Sequence, residues 1–159
     1  MIACGQKKAL AGVDADGRQL RYPAGELYVG AYHRSLRRAA DALTDPALIR
    51  VVSALHGLLP LERNIAPYDV SVGDETAMKP ERLLSHTAAL GTHDADVIFL
   101  GGGAYATLLQ ASIPHLYAPL TGGIGTQRGQ CREASESAGM RTAWWQQAAQ
   151  AFNEHQGSE

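Results

Sequence analysis

Short apolar runs alternate along this chain with looser helical spacings, so the pattern predicts strand, loop and helix several times over. Met1 to Cys4 is a first strand, closed by Gly5 and followed by a polar loop with Gln6, Lys7 and Lys8. Asp14, Asp16 and Gly17 mark a turn, and Arg18 to Pro23 is extended because Pro23 disfavours helix before it. From Glu26, the positions Leu27, Tyr28, Ala31, Leu36, Ala39, Ala40 and Leu43 predict one amphipathic helix that Thr44, Asp45 and Pro46 terminate. Leu48 to Val52 reads as a second strand, apolar enough to be buried on both faces. A long loop reaches Gly73 and Asp74, and Pro80 then offers the first-turn position of a helix over Glu81 to Leu90. Val97 to Leu100 predicts a third strand, Ala104 to Gln110 a helix, Leu116 to Leu120 a fourth strand, and a further helix starts near Thr126. A terminal helix over 139–153 and a frayed tail at 156–159 complete the pattern.

This order predicts a single three-layer α/β domain over 1–159, its mixed or mostly parallel sheet flanked by helices. In such sheets the ligand pocket lies at the carboxyl ends of the strands. With 159 residues, 45% of them hydrophobic, the chain can bury the core of one domain. A formal net charge of −2 provides no global attraction to nucleic acid or to an anionic membrane, so any polyanion contact must be local. Two cysteines, Cys4 and Cys131, are too few for a disulfide scaffold and lack zinc-site spacing, which points to reduced thiols in a cytoplasmic protein. No apolar stretch reaches the roughly 20 residues of a membrane span, and no signal peptide is evident.

The segment after the second strand, SALHGLLPLERNIAPYD, carries Ser53, His56, Gly57, Tyr68 and Asp69, polar and turn-forming groups that a core does not require. Pro60 and Pro67 stiffen it. A histidine there can donate or accept a proton, a tyrosine can stack on a planar base, and an aspartate can orient water or stabilise positive charge at a ribose carbon. Three other loops combine glycine with anion or base ligands. They are Cys4 to Lys8, Gly101 to Tyr105 with Gly102 and Gly103, and Gly122 to Arg128 with Gly123, Gly125 and Gln127. Glycine turns feeding helix N-termini present free N–H groups to an anion, and the same residues also make ordinary tight turns. None matches a phosphate-loop or dinucleotide fingerprint. The histidines outside the site loop show no metal-ligand spacing, so neither a metal nor a cofactor is predicted. Arg34, Arg37 and Arg38 form a basic stripe that reads as a solvated helix face or as a phosphate contact. Trp144 and Trp145 read as core or homodimer contacts.

The segment at 53–69 resembles the signature of a small bacterial domain family of unknown function. IACGQKK, Glu26-Leu27-Tyr28, the Gly102, Gly103 and Tyr105 element, and the late Pro119, Leu120, Gly122, Gly123, Gly125 and Gln127 extend the likeness over roughly 1–130. More distantly, Ser53, Leu55, Gly57, Leu58, Leu59, Pro60, Leu61, Pro67 and Tyr68 are similar to the signature of YaaA-type peroxide-stress proteins, which implies DNA binding. Cys4, Lys7 or Lys8, Tyr28 and His33 resemble elements of the archaeosine synthase core, which implies modification of a deazaguanine base in transfer RNA. The expectation is therefore a small enzyme acting on a nucleobase, nucleoside or nucleic-acid base, by cleaving or exchanging an N-glycosidic bond or by modifying the base. Its partner would be a nucleobase-like or nucleotide-like molecule, free or within DNA or RNA, and no membrane. His56, Asp69 and Cys4 are the expected catalytic groups, with Lys7, Lys8, Tyr28, Ser53, Gly57, Tyr68, Gly102, Gly103, Tyr105, Gly123, Gly125, Gln127 and Arg128 around the substrate. The competing expectation is a DNA-binding stress-response module without catalysis.

Overall fold

The computed structural model describes residues 1–158 and shows an α/β arrangement, a small mixed sheet with helices around it. Strand β1 (Ile2–Ala3) pairs in parallel with β3 (Arg50–Ser53), which pairs antiparallel with β4 (Gly57–Pro60). Backbone bonds carry the sheet further. Ala3 N–H donates to Leu100 O at 2.9 Å, Leu100 N–H to Met1 O at 2.9 Å, and Phe99 N–H to Tyr117 O at 2.9 Å. The contacts Ile2 to Leu100 and Ile98 to Tyr117 are both parallel, so Val97 to Leu100 and Tyr117 continue the sheet beyond β1. A second, two-stranded antiparallel sheet joins β2 (Tyr22–Pro23) to β5 (Asn64–Ile65). Ile2, Val51, Val52, Phe99 and Leu100 are fully buried, as their runs of apolar residues required.

Among the described residues six α-helices surround the sheets: α1 (Ala24–Leu27), α2 (Ala31–Leu43), α3 (Pro80–Leu90), α4 (Gly103–Gln110), α5 (Ile124–Glu136) and α6 (Ala138–Gln156). Their ends follow capping chemistry. Pro80 opens α3, Gly91 closes it at φ 67°, and the Ser137 side chain accepts from Met140 N–H at the start of α6. The helix α6 runs three residues past the predicted 153, and the tail expectation falls partly on residue 159, outside the described residues.

Three expectations change. Of the fourth strand expected over Leu116 to Leu120, only Tyr117 pairs, through a single bridge to Ile98. The single helix from Glu26 to Leu43 is broken at Tyr28, which is extended at φ −91° and ψ 110°. Ala9 N–H donates to Leu27 O and Val29 N–H to Lys7 O, so a ladder with the first loop outcompetes the helix there. The long loop after β3 contains two short strands, β4 and β5. Gly57, at φ 76°, turns the chain back and GLLP returns along β3 as β4. A Cβ at Gly57 would lie 2.1 Å from Met78 Cε and 2.8 Å from His86 Nδ1, so the turn and the close packing both require glycine.

Candidate functional site

Parallel pairing brings the carboxyl ends of β1, β3 and the 97–100 segment to one edge, and with them Cys4, Ser53 and Gly101. At this edge a cavity of about 500 Å³ is lined by Cys4, Gly5, Lys8, Asp69, Ser71 and Tyr105, among others. Its size suits a small ligand. Cys4 Sγ lies 3.0 Å from the Tyr105 hydroxyl, which α4 delivers from its first turn. Asp69 is exposed, while Cys4, Lys8 and Tyr105 are half-buried.

Behind this cavity three hydroxyls form a chain. The Tyr68 hydroxyl is 2.6 Å from that of Tyr28 and 2.7 Å from Ser53 Oγ. Ser53 Oγ accepts from Leu55 N–H at 3.2 Å and His56 N–H at 3.0 Å, which fills both of its acceptor positions. Its own proton must then point to Tyr68. One proton joins the two tyrosines, and one is left over. Tyr28 is only 3% exposed, so a spare proton there would be stranded, whereas Tyr68 is half-buried. Tyr28 therefore donates to Tyr68, and the Tyr68 proton is the one free for solvent or ligand. Burial raises both phenols far above their usual range, with Cys4 next in effect on Tyr68, so both remain neutral donors. The Lys8 ammonium sits 4.5 Å from the centre of the Tyr68 ring, in cation–π contact.

Other expected residues take different positions. His56 meets Tyr68 edge-on, with ring centres 5.4 Å apart, but lines a separate groove along β4 rather than the Asp69 cavity. Burial lowers its pKa, and Arg82, Arg21 and Arg63 lower it further. Tyr28 is too buried to stack on a base and acts through Tyr68. Gly57 packs against Met78 and His86 inside the fold. Lys7 is exposed beside Gly30, and Gly102 and Gly103 lie open at the start of α4. Gln127 is buried, accepts from the Tyr32 hydroxyl and donates to Gly122 O at 2.9 Å, thereby bracing the turn before α5. Gly123 and Gly125 are exposed at that turn. None of Gly123, Gly125, Gln127 and Arg128 lines the Cys4 cavity.

The arginine stripe also divides. Arg37 pairs with Asp41 at 2.9 Å and reaches Gly25 O, whereas Arg34 and Arg38 face Arg128 and Arg132 of α5 across a pocket of about 270 Å³. His33, which the sequence singles out only through its likeness to the archaeosine synthase core and not among the expected site residues, lies 3% exposed beneath the cavity wall. Its Nδ1 bonds Ala3 O at 2.8 Å, its ring stands 5.0 Å from that of Tyr28, and its Nε2 has no partner among the described residues. Only the H in YVGAYHR signalled it. Among the described residues no group of three or more His, Cys, Asp or Glu gathers as a metal site would require. A further cavity of about 250 Å³ at the amino ends of the strands is mostly apolar, between Leu43, Ile49, Leu90, Val97 and Trp145, with Arg50 and Asp96 also in its lining.

Residues 1–133 match a family that covers the opening strand, the hydroxyl chain, the Asp69 cavity and most of α5. The chain belongs to DUF6884, a family of unknown function. All the residues lining the candidate site fall inside the matched span, and α6 lies beyond it. No curated protein and no solved structure matches the chain. No helix among the described residues is long and apolar enough to cross a membrane.

Proposed function

We propose that this protein is a small cytoplasmic enzyme that acts on a nucleobase, nucleoside or nucleic-acid base, with cleavage of an N-glycosidic bond as the favoured reaction. The observation that carries this reading is the cavity at the strand ends, where one carboxylate, Asp69, meets Lys8, Cys4 and Tyr105 beside a neutral phenol donor. Water adds to the anomeric carbon as the N-glycosidic bond breaks, and the bonding pair leaves with the base, which takes up a proton. Asp69 activates that water or stabilises the positive ribose carbon, and Tyr68 and Lys8 donate toward the departing base. Tyr105 provides an aromatic wall for the base, while the ammonium of Lys8 already covers Tyr68. Where the reaction is instead a base exchange, the Cys4 sulfur bonds to the anomeric carbon as the N-glycosidic bond breaks, the outgoing base leaves with the bonding pair and the thiol proton, and a nitrogen of the incoming base then displaces the sulfur, its proton returning to the thiol. The likeness of IACGQKK and YVGAYHR to the archaeosine synthase core supports base chemistry.

Nucleosides, nucleotides, transfer RNA and DNA are to be incubated with the protein, and released or altered bases measured by mass spectrometry. Product from one of these classes, reduced about 10²-fold or more in Asp69→Asn, is expected. No product from any class, or full turnover by Asp69→Asn, rejects the proposal.

One observation favours a second reading, a DNA-binding module of YaaA type: Arg34, Arg38, Arg128 and Arg132 converge without a carboxylate among the pocket's lining residues. If that reading holds, Arg34→Gln and Arg128→Gln weaken duplex DNA binding and reduce its salt dependence, while Asp69→Asn leaves both unchanged.

A further inference from the structure

The net charge is −2, yet a groove of about 420 Å³ along β4, β5 and α3 gathers positive groups without compensation. Arg21 enters from just before β2, Arg50 from β3, Arg63 from the β4–β5 connection and Arg82 from α3, with His56 and His86 beside them. No aspartate or glutamate lines the groove among the described residues, and none of the four arginines forms an ion pair there. Arg21 is oriented by a bond to Asn64 O at 2.9 Å, and one nitrogen of Arg50, which stands between this groove and the cavity at the strands' amino ends, donates to Ala47 O at 2.8 Å and Ile49 O at 3.0 Å, which leaves the remaining guanidinium N–H groups for a ligand. Four like charges around one cavity repel one another unless an anion lies between them. Guanidinium forks match phosphate oxygens in pairs.

We infer that this groove is an anion site that takes the phosphate of a phosphate-bearing ligand, gripped by Arg21, Arg50, Arg63 and Arg82. It shares no lining residue with the Asp69 cavity and does not depend on the base-directed reading. Of the six groups facing the groove, His56 and His86 are the two whose protonation a bound anion favours, since burial lowers both and Arg82 acts on each. Leu58 N–H donates to His86 Nδ1 at 3.3 Å, so protonation of that Nδ1 would break this bond, and His56, edge-on to the neutral Tyr68, takes the larger share. An anion offsets the arginines that repel a proton from His56, so binding brings proton uptake, and affinity rises as pH falls toward and below about 6.5.

Calorimetric titration tests this with inorganic pyrophosphate and a short single-stranded oligonucleotide as probes, over a range of pH. Arg63 and Arg82 are exposed, so Arg63→Gln and Arg82→Gln leave the fold intact, as thermal melts will verify. Each is expected to weaken binding about tenfold, or about 1.4 kcal/mol. Compared with the parent on the same probe, so that pyrophosphate's own titration cancels, His56→Gln is expected to reduce the gain in affinity on acidification, and Arg34→Gln and Asp69→Asn to leave affinity unchanged. Pyrophosphate binding assigns the groove to a free phosphorylated ligand, and binding of the oligonucleotide alone assigns it to a phosphodiester. The inference is overturned if neither probe binds, if Arg63→Gln and Arg82→Gln bind as tightly as the parent, or if Arg34→Gln abolishes binding instead. Retained binding by a catalytically dead Asp69→Asn separates this result from the fate of the enzymatic reading.

Discussion

Removing a single oxygen from Tyr68 tests the hydroxyl chain directly. In Tyr68→Phe, Ser53 O–H loses its acceptor at 2.7 Å and Tyr28 O–H loses the one at 2.6 Å, and both groups are nearly sealed from water at 2% and 3% exposure. Two net hydrogen bonds at about 1 kcal/mol each, plus about 1–3 kcal/mol for each stranded donor, set an upper bound of roughly 8 kcal/mol. Tyr68 itself is half-buried, so water reaches part of the gap and reduces the expected loss to about 2–3 kcal/mol. Tyr28→Phe leaves the bond from Ser53 to Tyr68 intact and costs about 1 kcal/mol. In the double variant no tyrosine donor is left stranded, so its cost falls short of the sum by about 1 kcal/mol. Urea unfolding followed by circular dichroism measures all three. A Tyr68→Phe change within about 0.5 kcal/mol of the parent, or strict additivity in the cycle, refutes the hydrogen-bonded chain.

Three further outcomes follow from the same geometry. Gly57→Ala places a Cβ against Met78 and His86 at φ 76° and is expected to cost about 2–5 kcal/mol in urea unfolding, whereas less than about 1 kcal/mol refutes the packing argument. Iodoacetamide is expected to label Cys4 alone in the native protein, because Cys131 is buried and its thiol is pushed up to about 11, and both cysteines after denaturation; equal native labelling by mass spectrometry contradicts this. His33, His56 and His86 are each held below the usual histidine pKa, chiefly by burial, so the unfolded chain binds protons first on acidification. Stability is therefore complete above about 6.5 and declines as pH falls through the lowered folded-state values. Unfolding free energies at neutral and mildly acidic pH measure the decline, and a stability that rises on acidification reverses the sign.

Local rules were enough to read much of this protein from its residues. The apolar runs at Met1 to Cys4 and Val97 to Leu100 had to enter a sheet, and Pro80 with Gly91 bracketed α3 through capping chemistry. The expectation of an α/β sheet with helices around it rested on such short-range signals. Where the structure departed, long-range contacts decided. Tyr28 leaves its helix because the first loop pairs with it, and β4 exists because β3 provides a partner at a turn only Gly57 can make. The candidate site divides for the same reason: His56 and Asp69, thirteen positions apart by number, line different cavities once β4 and β5 have formed between them. Distance through space, rather than spacing in the chain, joined Cys4 to Tyr105, drew Arg21, Arg50, Arg63 and Arg82 into one groove, and turned Ser53, Tyr28 and Tyr68 into a chain with one free proton. Hydrophobic pattern specifies which elements form, but close packing and hydrogen-bond satisfaction, which depend on every neighbour at once, determine which side chains meet.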